Sequence, residues 1–247
     1  MEDKNKWILN SNSDFVISRN TTASVDNTFL PNVFSFMSFG LLLSGVLAYL
    51  FGNNPNFTAL LFNQAGTGFS LFGYLAMFGP LILGLTMSFA YQKMTAPVLF
   101  LLFAAYAALI GCSLGTVFLV YEPLVIVKAL GATSVTFVVM AIAGYTTKTD
   151  LSKMGSILGM MLIGIIVASL INMFAKSSFM DYIISIFGVL IFTGLTAYDM
   201  QQIKQIARAD IGAEKSKLAI MGALKLYLDF INLFIFLLRL FGARREN

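Results

Sequence analysis

Seven continuous apolar runs, at about residues 33–51, 71–89, 97–120, 124–144, 154–174, 182–198 and 218–241, alternate with short polar breaks along the chain. Each is near the roughly 20 residues that a helix needs to cross a bilayer. The runs are unbroken and do not alternate polar with apolar, so they predict helices and exclude a barrel. The breaks carry turn chemistry: Gly52-Asn-Asn-Pro55, Tyr121-Glu-Pro123 and Lys148-Thr-Asp150. The third and fourth runs are joined so tightly that an antiparallel hairpin is expected. Between the sixth and seventh, residues 201–217 mix polar and apolar positions, the pattern of an interfacial helix prolonging the sixth span. Residues 1–32 are polar and predict a mobile terminal segment without a cleavable signal, and residues 243–247 form a short basic tail.

Composition makes the same case. Hydrophobic residues are 58% of the chain and charged ones 11%, against about half and a quarter in a soluble domain. The expectation is an all-α membrane protein of seven transmembrane helices, with residues 33–242 as the membrane domain. Lys4, Lys6, Arg19, Lys93, Lys148, Lys153, Lys204, Arg208, Lys215 and Lys217 all fall on the side of the N-terminus. That bias places the N-terminus in the cytoplasm and the C-terminus outside. Arg239, Arg244 and Arg245 pull the other way, which leaves a re-entrant last segment open. The net charge of +4 orients the chain in its bilayer and gives no reason to expect a nucleic-acid partner.

The chain has one cysteine, Cys112, and no histidine. An intrachain disulfide, Cys/His metal sites and histidine-based catalysis are therefore excluded. A response to pH near neutrality would have to come from carboxylates. Asn20-Thr-Thr22 and Asn56-Phe-Thr58 match a glycosylation sequon, a pattern too short to carry weight. Gly111/Gly115 and Gly155/Gly159 have the spacing that lets helix backbones approach. Intramolecular packing is the first reading, with a monomer as the expected state and a dimer face as the alternative.

Two acidic residues stand where a carboxylate is costly. Asp229 lies near the middle of the seventh run, and Asp199 closes the sixth; such residues need a partner or a function. Lys225, Asp229, Asn232, Phe236 and Arg239 recur every three or four positions and share one helix face. Thr193, Thr196, Asp199 and Gln202 make a second polar line on the sixth run. If these lines meet, the two carboxylates can share a proton. The competing structural reading pairs Asp229 with Lys225 four residues earlier, sets Asp199 beside Lys204, and leaves Lys93 as a solvated loop charge.

Tyr198-Asp199, Gln202-Ile203, the stretch Leu226-Tyr-Leu-Asp-Phe-Ile-Asn-Leu-Phe234 and Leu237-Leu-Arg-Leu-Phe-Gly242 closely resemble the Bax inhibitor-1 family, also called the transmembrane Bax inhibitor motif family. The resemblance runs from about residue 33 to 242, and Ser88-Phe-Ala-Tyr-Gln-Lys-Met-Thr-Ala-Pro97 resembles its bacterial branch. It implies a bundle with the last helix central among the other six, in a bacterial inner membrane. It also implies a proton-controlled calcium leak whose carboxylate sensor is Asp199 and Asp229. Thr196, Gln202 and Asn232 would support that site, and Lys93 would match the basic latch that is arginine in some relatives. Lys225 departs from the small or neutral residue expected there, and would compete for the carboxylates or repel an entering cation.

In the mechanism expected from both lines of reasoning, one shared proton ties the sixth and seventh helices together. Its loss exposes a site for calcium, held weakly and in transit by Asp199 and Asp229, and a second proton removes the site. No cofactor is expected; calcium is the transported ion, and the partners are the lipid bilayer, calcium and protons. The alternative implied by the resemblance is a regulator that binds a membrane-bound ATP-dependent protease or another membrane partner. Catalysis is not expected: an intramembrane aspartyl protease would want a Gly-x-Gly-Asp motif, which neither aspartate has.

Overall fold

The computed structural model describes residues 28–63, 68–209 and 212–242. The eight helices are α1 (Phe29–Asn53), α2 (Pro55–Leu61), α3 (Leu71–Ala90), α4 (Ala96–Val120), α5 (Pro123–Thr146), α6 (Ser152–Ala175), α7 (Ser178–Arg208) and α8 (Lys215–Phe241). All but the short α2 are long and apolar enough to cross a membrane. Among the described residues there is no strand, and one isolated bridge joins Phe62 to Phe69. This is an all-α membrane fold. The expected mobility of the N-terminal segment, the sequon at Asn20 and the charges Lys4, Lys6, Arg19, Arg244 and Arg245 lie outside the described residues.

Local sequence sets the helix ends. Proline stands in the first turn of α2, α4 and α5, where its missing N–H is not needed. Ser70 Oγ accepts from Gly73 N at 3.0 Å to cap α3, and Ser177 Oγ accepts from Met180 N at 3.3 Å to cap α7. Between α6 and α7 the chain reverses in two residues, with Lys176 left-handed at φ 49°. The α5–α6 connection is held from α7: Gln201 donates to Thr149 O at 2.8 Å and accepts from Leu151 N at 2.9 Å.

α8 is the centre of the bundle. It packs against α1, α4, α5 and α7, while α3 rests on α4 and α6 on α7. Residues on nearly every side of α8 are buried, among them Ala223, Leu226, Tyr227 and Leu233 with no exposed surface. Tyr227 meets the rings of Phe103 and Tyr106 edge-on, and its hydroxyl lies 2.6 Å from Ser44 Oγ on α1. Small residues permit the close crossings. A side chain at Gly111 would meet the Ser44 backbone of α1, and one at Gly144 of α5 would meet the Ala197 backbone of α7. The Gly111/Gly115 pair thus serves the α1–α4 contact, and Gly155 packs on Tyr198, whereas Gly159 faces open space.

The helix hairpins define two ends. At the proximal end lie the start of α1, the ends of α3, α5 and α7, and the start of α8. Lys217 Nζ donates to Gln92 O at 3.4 Å there, and Lys204 Nζ donates to Tyr145 O. At the distal end lie the end of α8, the start of α7 and the α4–α5 turn.

Candidate functional site

A cavity of about 1490 Å³ runs along α8 between α6, α7 and the side of α4. At its deep end stand Asp199, Lys225 and Asp229. Asn232 and Phe236 line its middle, and Asp181, Arg239, Lys176 and Tyr182 line its distal reach. No residue of 200–224 lines it. On the proximal side the interior is filled by Val33, Met37, Ile203, Ala207, Ala219, Ile220 and Ala223, all buried. The carboxylates therefore lie at the proximal limit of the cavity, whose wall further along includes the exposed Leu81, Ile166 and Leu170, and the interior beyond them is packed.

The helical repeat of α8 places Lys225, Asp229, Asn232, Phe236 and Arg239 together on the cavity. Asp229 is 4% exposed, and its Oδ2 is fully enclosed without a hydrogen-bond partner. It lies within electrostatic reach of Asp199 on α7 and of Lys225. An enclosed carboxylate oxygen with no donor is costly as long as it carries charge, and a proton relieves that cost. Asp199 is 13% exposed at its side chain and sits 3.5 Å from the Lys225 ammonium, which is 49% exposed. Lys225 Nζ also donates to Gln202 Oε1 at 3.0 Å, and Gln202 in turn donates to the Tyr198 hydroxyl.

Several alternatives open in the sequence are decided here. Lys225 does not pair with Asp229 along its own helix; its ammonium reaches across to Asp199 and Gln202 on α7. Lys204 serves the end of α5 and not Asp199. Thr196 is buried, spends its hydroxyl on Phe192 O at 2.7 Å, and is absent from the cavity wall. Asn232 lines the cavity and donates to Leu228 O at 2.8 Å. Lys93 is exposed at the proximal turn. The Lys217–Gln92 bond sets that turn level with the start of α8. Asp229 lies twelve residues further along, about 18 Å at the helical rise, beyond a lysine's reach. In this conformation the cation at the carboxylates comes from α8 itself. Two features were not anticipated: the Gln201 clamp, and an ion pair of Arg239 Nη1 with Asp181 Oδ1 at 3.6 Å. The second was legible in principle, because antiparallel counting from the Asp199–Lys225 contact brings the start of α7 to the end of α8.

Residues 26–246 match the family described as inhibitor of apoptosis-promoting Bax1. The chain belongs to the Bax inhibitor family. Bacterial relatives of this family member cover nearly its whole length. A Borreliella burgdorferi protein is 45% identical over 90% of this chain and 95% of its own. The inner membrane protein YbhL of Escherichia coli K12 is 40% identical over 88% of this chain and 92% of its own. A membrane protein of Streptococcus pyogenes serotype M3 is 39% identical over 87% and 93%. As a Bax inhibitor family protein with seven apolar helices, the chain is a multi-pass membrane protein.

Proposed function

We propose that this family member is a pH-sensitive cation leak of a bacterial inner membrane, with its proximal end cytoplasmic and calcium as the transported ion. The observation that carries this reading is the enclosed, unpartnered oxygen of Asp229 beside Asp199 at the proximal limit of the cavity along α8. In the closed state the pair holds one proton, and the remaining charge is neutralised by Lys225. Loss of the proton leaves two carboxylates against one ammonium, a net negative site that draws in a cation and loosens the α7–α8 contact. A second proton abolishes the site.

Calcium prefers several oxygens. Among the described residues no group of three or more acidic, histidine or cysteine side chains gathers. Asp199 and Asp229, assisted by Asn232, would hold the ion weakly, as transit requires. Gln202 acts one step removed, by steadying Lys225.

The test is calcium flux into proteoliposomes across a pH series. Wild-type flux is expected to rise as pH is raised through loss of the shared proton. An Asp199→Asn, Asp229→Asn double variant is expected to lose both flux and pH dependence. If the double variant behaves like wild type while removal of residues 1–30 abolishes activity, the protein is instead a regulator acting through a membrane partner.

A further inference from the structure

The wall of the large cavity joins the protein interior to surface that faces the bilayer. It includes Leu81 of α3, 62% exposed, and Ile166 and Leu170 of α6, 52% and 55% exposed. α3 is carried by α4 and α6 by α7, so these residues stand on two separate arms on either side of α8. Leu81 is ten residues from the distal end of α3 and Ile166 nine from that of α6, about 15 and 14 Å at the helical rise. Both are therefore near the middle of a hydrocarbon layer about 30 Å thick. A side opening at that depth meets acyl chains.

Behind the opening the wall is mostly apolar, with Leu162 and Ile165 of α6, Leu195 of α7, and Leu228 and Phe236 of α8. The distal rim of the same cavity is lined by Lys176, which ends α6, by Arg239 in the last turn of α8, and by Asp181. Two cations against one carboxylate leave the rim positive. Arg239 Nη1 meets Asp181 Oδ1 in one long contact of 3.6 Å, with both side chains 36% exposed. That leaves guanidinium donors for a second anion. From Arg239 to Asp229 is ten residues of α8, about 15 Å, which is the hydrocarbon depth of one leaflet at half of about 30 Å. An acyl chain held at the rim therefore spans the apolar stretch.

We propose that the cleft between the α3–α4 and α6–α7 arms binds one phospholipid of the distal leaflet. Its phosphate lies against Lys176 and Arg239, and one acyl chain runs inward along α8 toward Asp229. The chain closes the side of the cavity and leaves the polar end at Asp199, Lys225 and Asp229 to water. The site follows from the placement of the helices across a bilayer and is independent of the leak reading.

The experiment uses the full-length protein in phosphatidylcholine liposomes doped with phosphatidylglycerol that carries a photoactivatable diazirine on one acyl chain. Adducts are mapped by peptide mass spectrometry. The yield on Leu228 and Asn232, which line the cleft, is divided by that on Ile163, which is 64% exposed and outside it. Cleft adducts are expected in the parent. Lys176→Gln and Arg239→Gln should each lower the ratio about fivefold, the scale of one cation acting on anionic lipid near a membrane surface. Asp181→Asn releases Arg239 to the phosphate and should raise it, whereas a pair that merely fastened α7 to α8 would respond alike to loss of either side. Ser169→Phe puts a ring in the cleft wall and should lower the ratio with the Ile163 yield unchanged. Adducts confined to the outer face of α6 would overturn the site, as would cleft adducts indifferent to both charge variants. Loss of cleft adducts to inorganic phosphate, but not to chloride at equal ionic strength, would assign the rim to a free anion and overturn it too.

Discussion

α6 and α8 are of similar length and both are strongly apolar, yet their fates differ. α6 has the most apolar window of the seven spans yet buries only Gly155 and Ile165, whereas 72% of the α8 window is buried. In water the ranking would be reversed. In a bilayer the surrounding lipid is as apolar as leucine, so hydrophobicity does not choose which helix goes inside. Polar groups and close packing do. α8 carries Lys225, Asp229, Asn232 and Arg239, which need one another, water or α7, while α6 presents Ile157, Met160, Ile163 and Leu170 outward.

This contrast can be broken most forcefully by cavities. Leu233→Ala in α8, at a side chain with no exposed surface, is expected to cost about 3 kcal/mol through lost packing. Ile163→Ala in α6, where the side chain is mostly exposed, should stay within about 0.5 kcal/mol. Thermal unfolding in detergent compares them; equal losses would mean that α6 is packed in the working protein. Overpacking gives the next largest difference. Gly188→Leu drives a side chain into the Phe236 ring on α8 and is expected to cost about 2 kcal/mol. Gly159→Leu on α6 meets open space and should be neutral or stabilising in the same assay.

The contrast is sharpened at the polar anchors of α6. Gln201→Ala removes both bonds that α7 makes to the loop ahead of α6, an expected loss of about 1 to 2 kcal/mol, with faster proteolysis at residues 147–151 as the readout. The smallest effect belongs to Asp150, outside the spans, whose carboxylate accepts from Ser152 Oγ at 2.7 Å and Ser152 N at 2.9 Å. These hydrogen bonds hold its carboxyl below the usual range. The contribution is therefore present at and above the ordinary carboxylate pKa and is lost as pH falls through the depressed value. Asp150→Ala should cost a small amount of stability at neutral pH, and the difference from the parent should vanish as pH falls through the depressed value, measured by unfolding between pH 2 and 7.

The spans were legible because long apolar runs with proline and glycine punctuation admit few other structures. The α8 stripe was legible too, since Lys225, Asp229, Asn232, Phe236 and Arg239 repeat at helical spacing and line one cavity. The corresponding line on α7 reaches the cavity only at Asp199. Thr196 stands in it every third residue, but a threonine hydroxyl can satisfy itself on the carbonyl four residues back, and this one does. The direction of Lys225 was not legible either, because a long flexible side chain reaches both its own helix and the next. The enclosure of Asp229 Oδ2 and the proximity of Asp199 to Lys225 decide the matter in space.

α7 continues to Arg208, thirty-one residues in all. At the helical rise that is about 46 Å, well beyond a hydrocarbon thickness of about 30 Å. Asp199 therefore sits on a rigid rod longer than the hydrocarbon layer is thick, whose last turns run on beside the proximal loops. Torque applied to that handle, by headgroups or by whatever grips it, is delivered straight to the carboxylate without passing through any flexible joint.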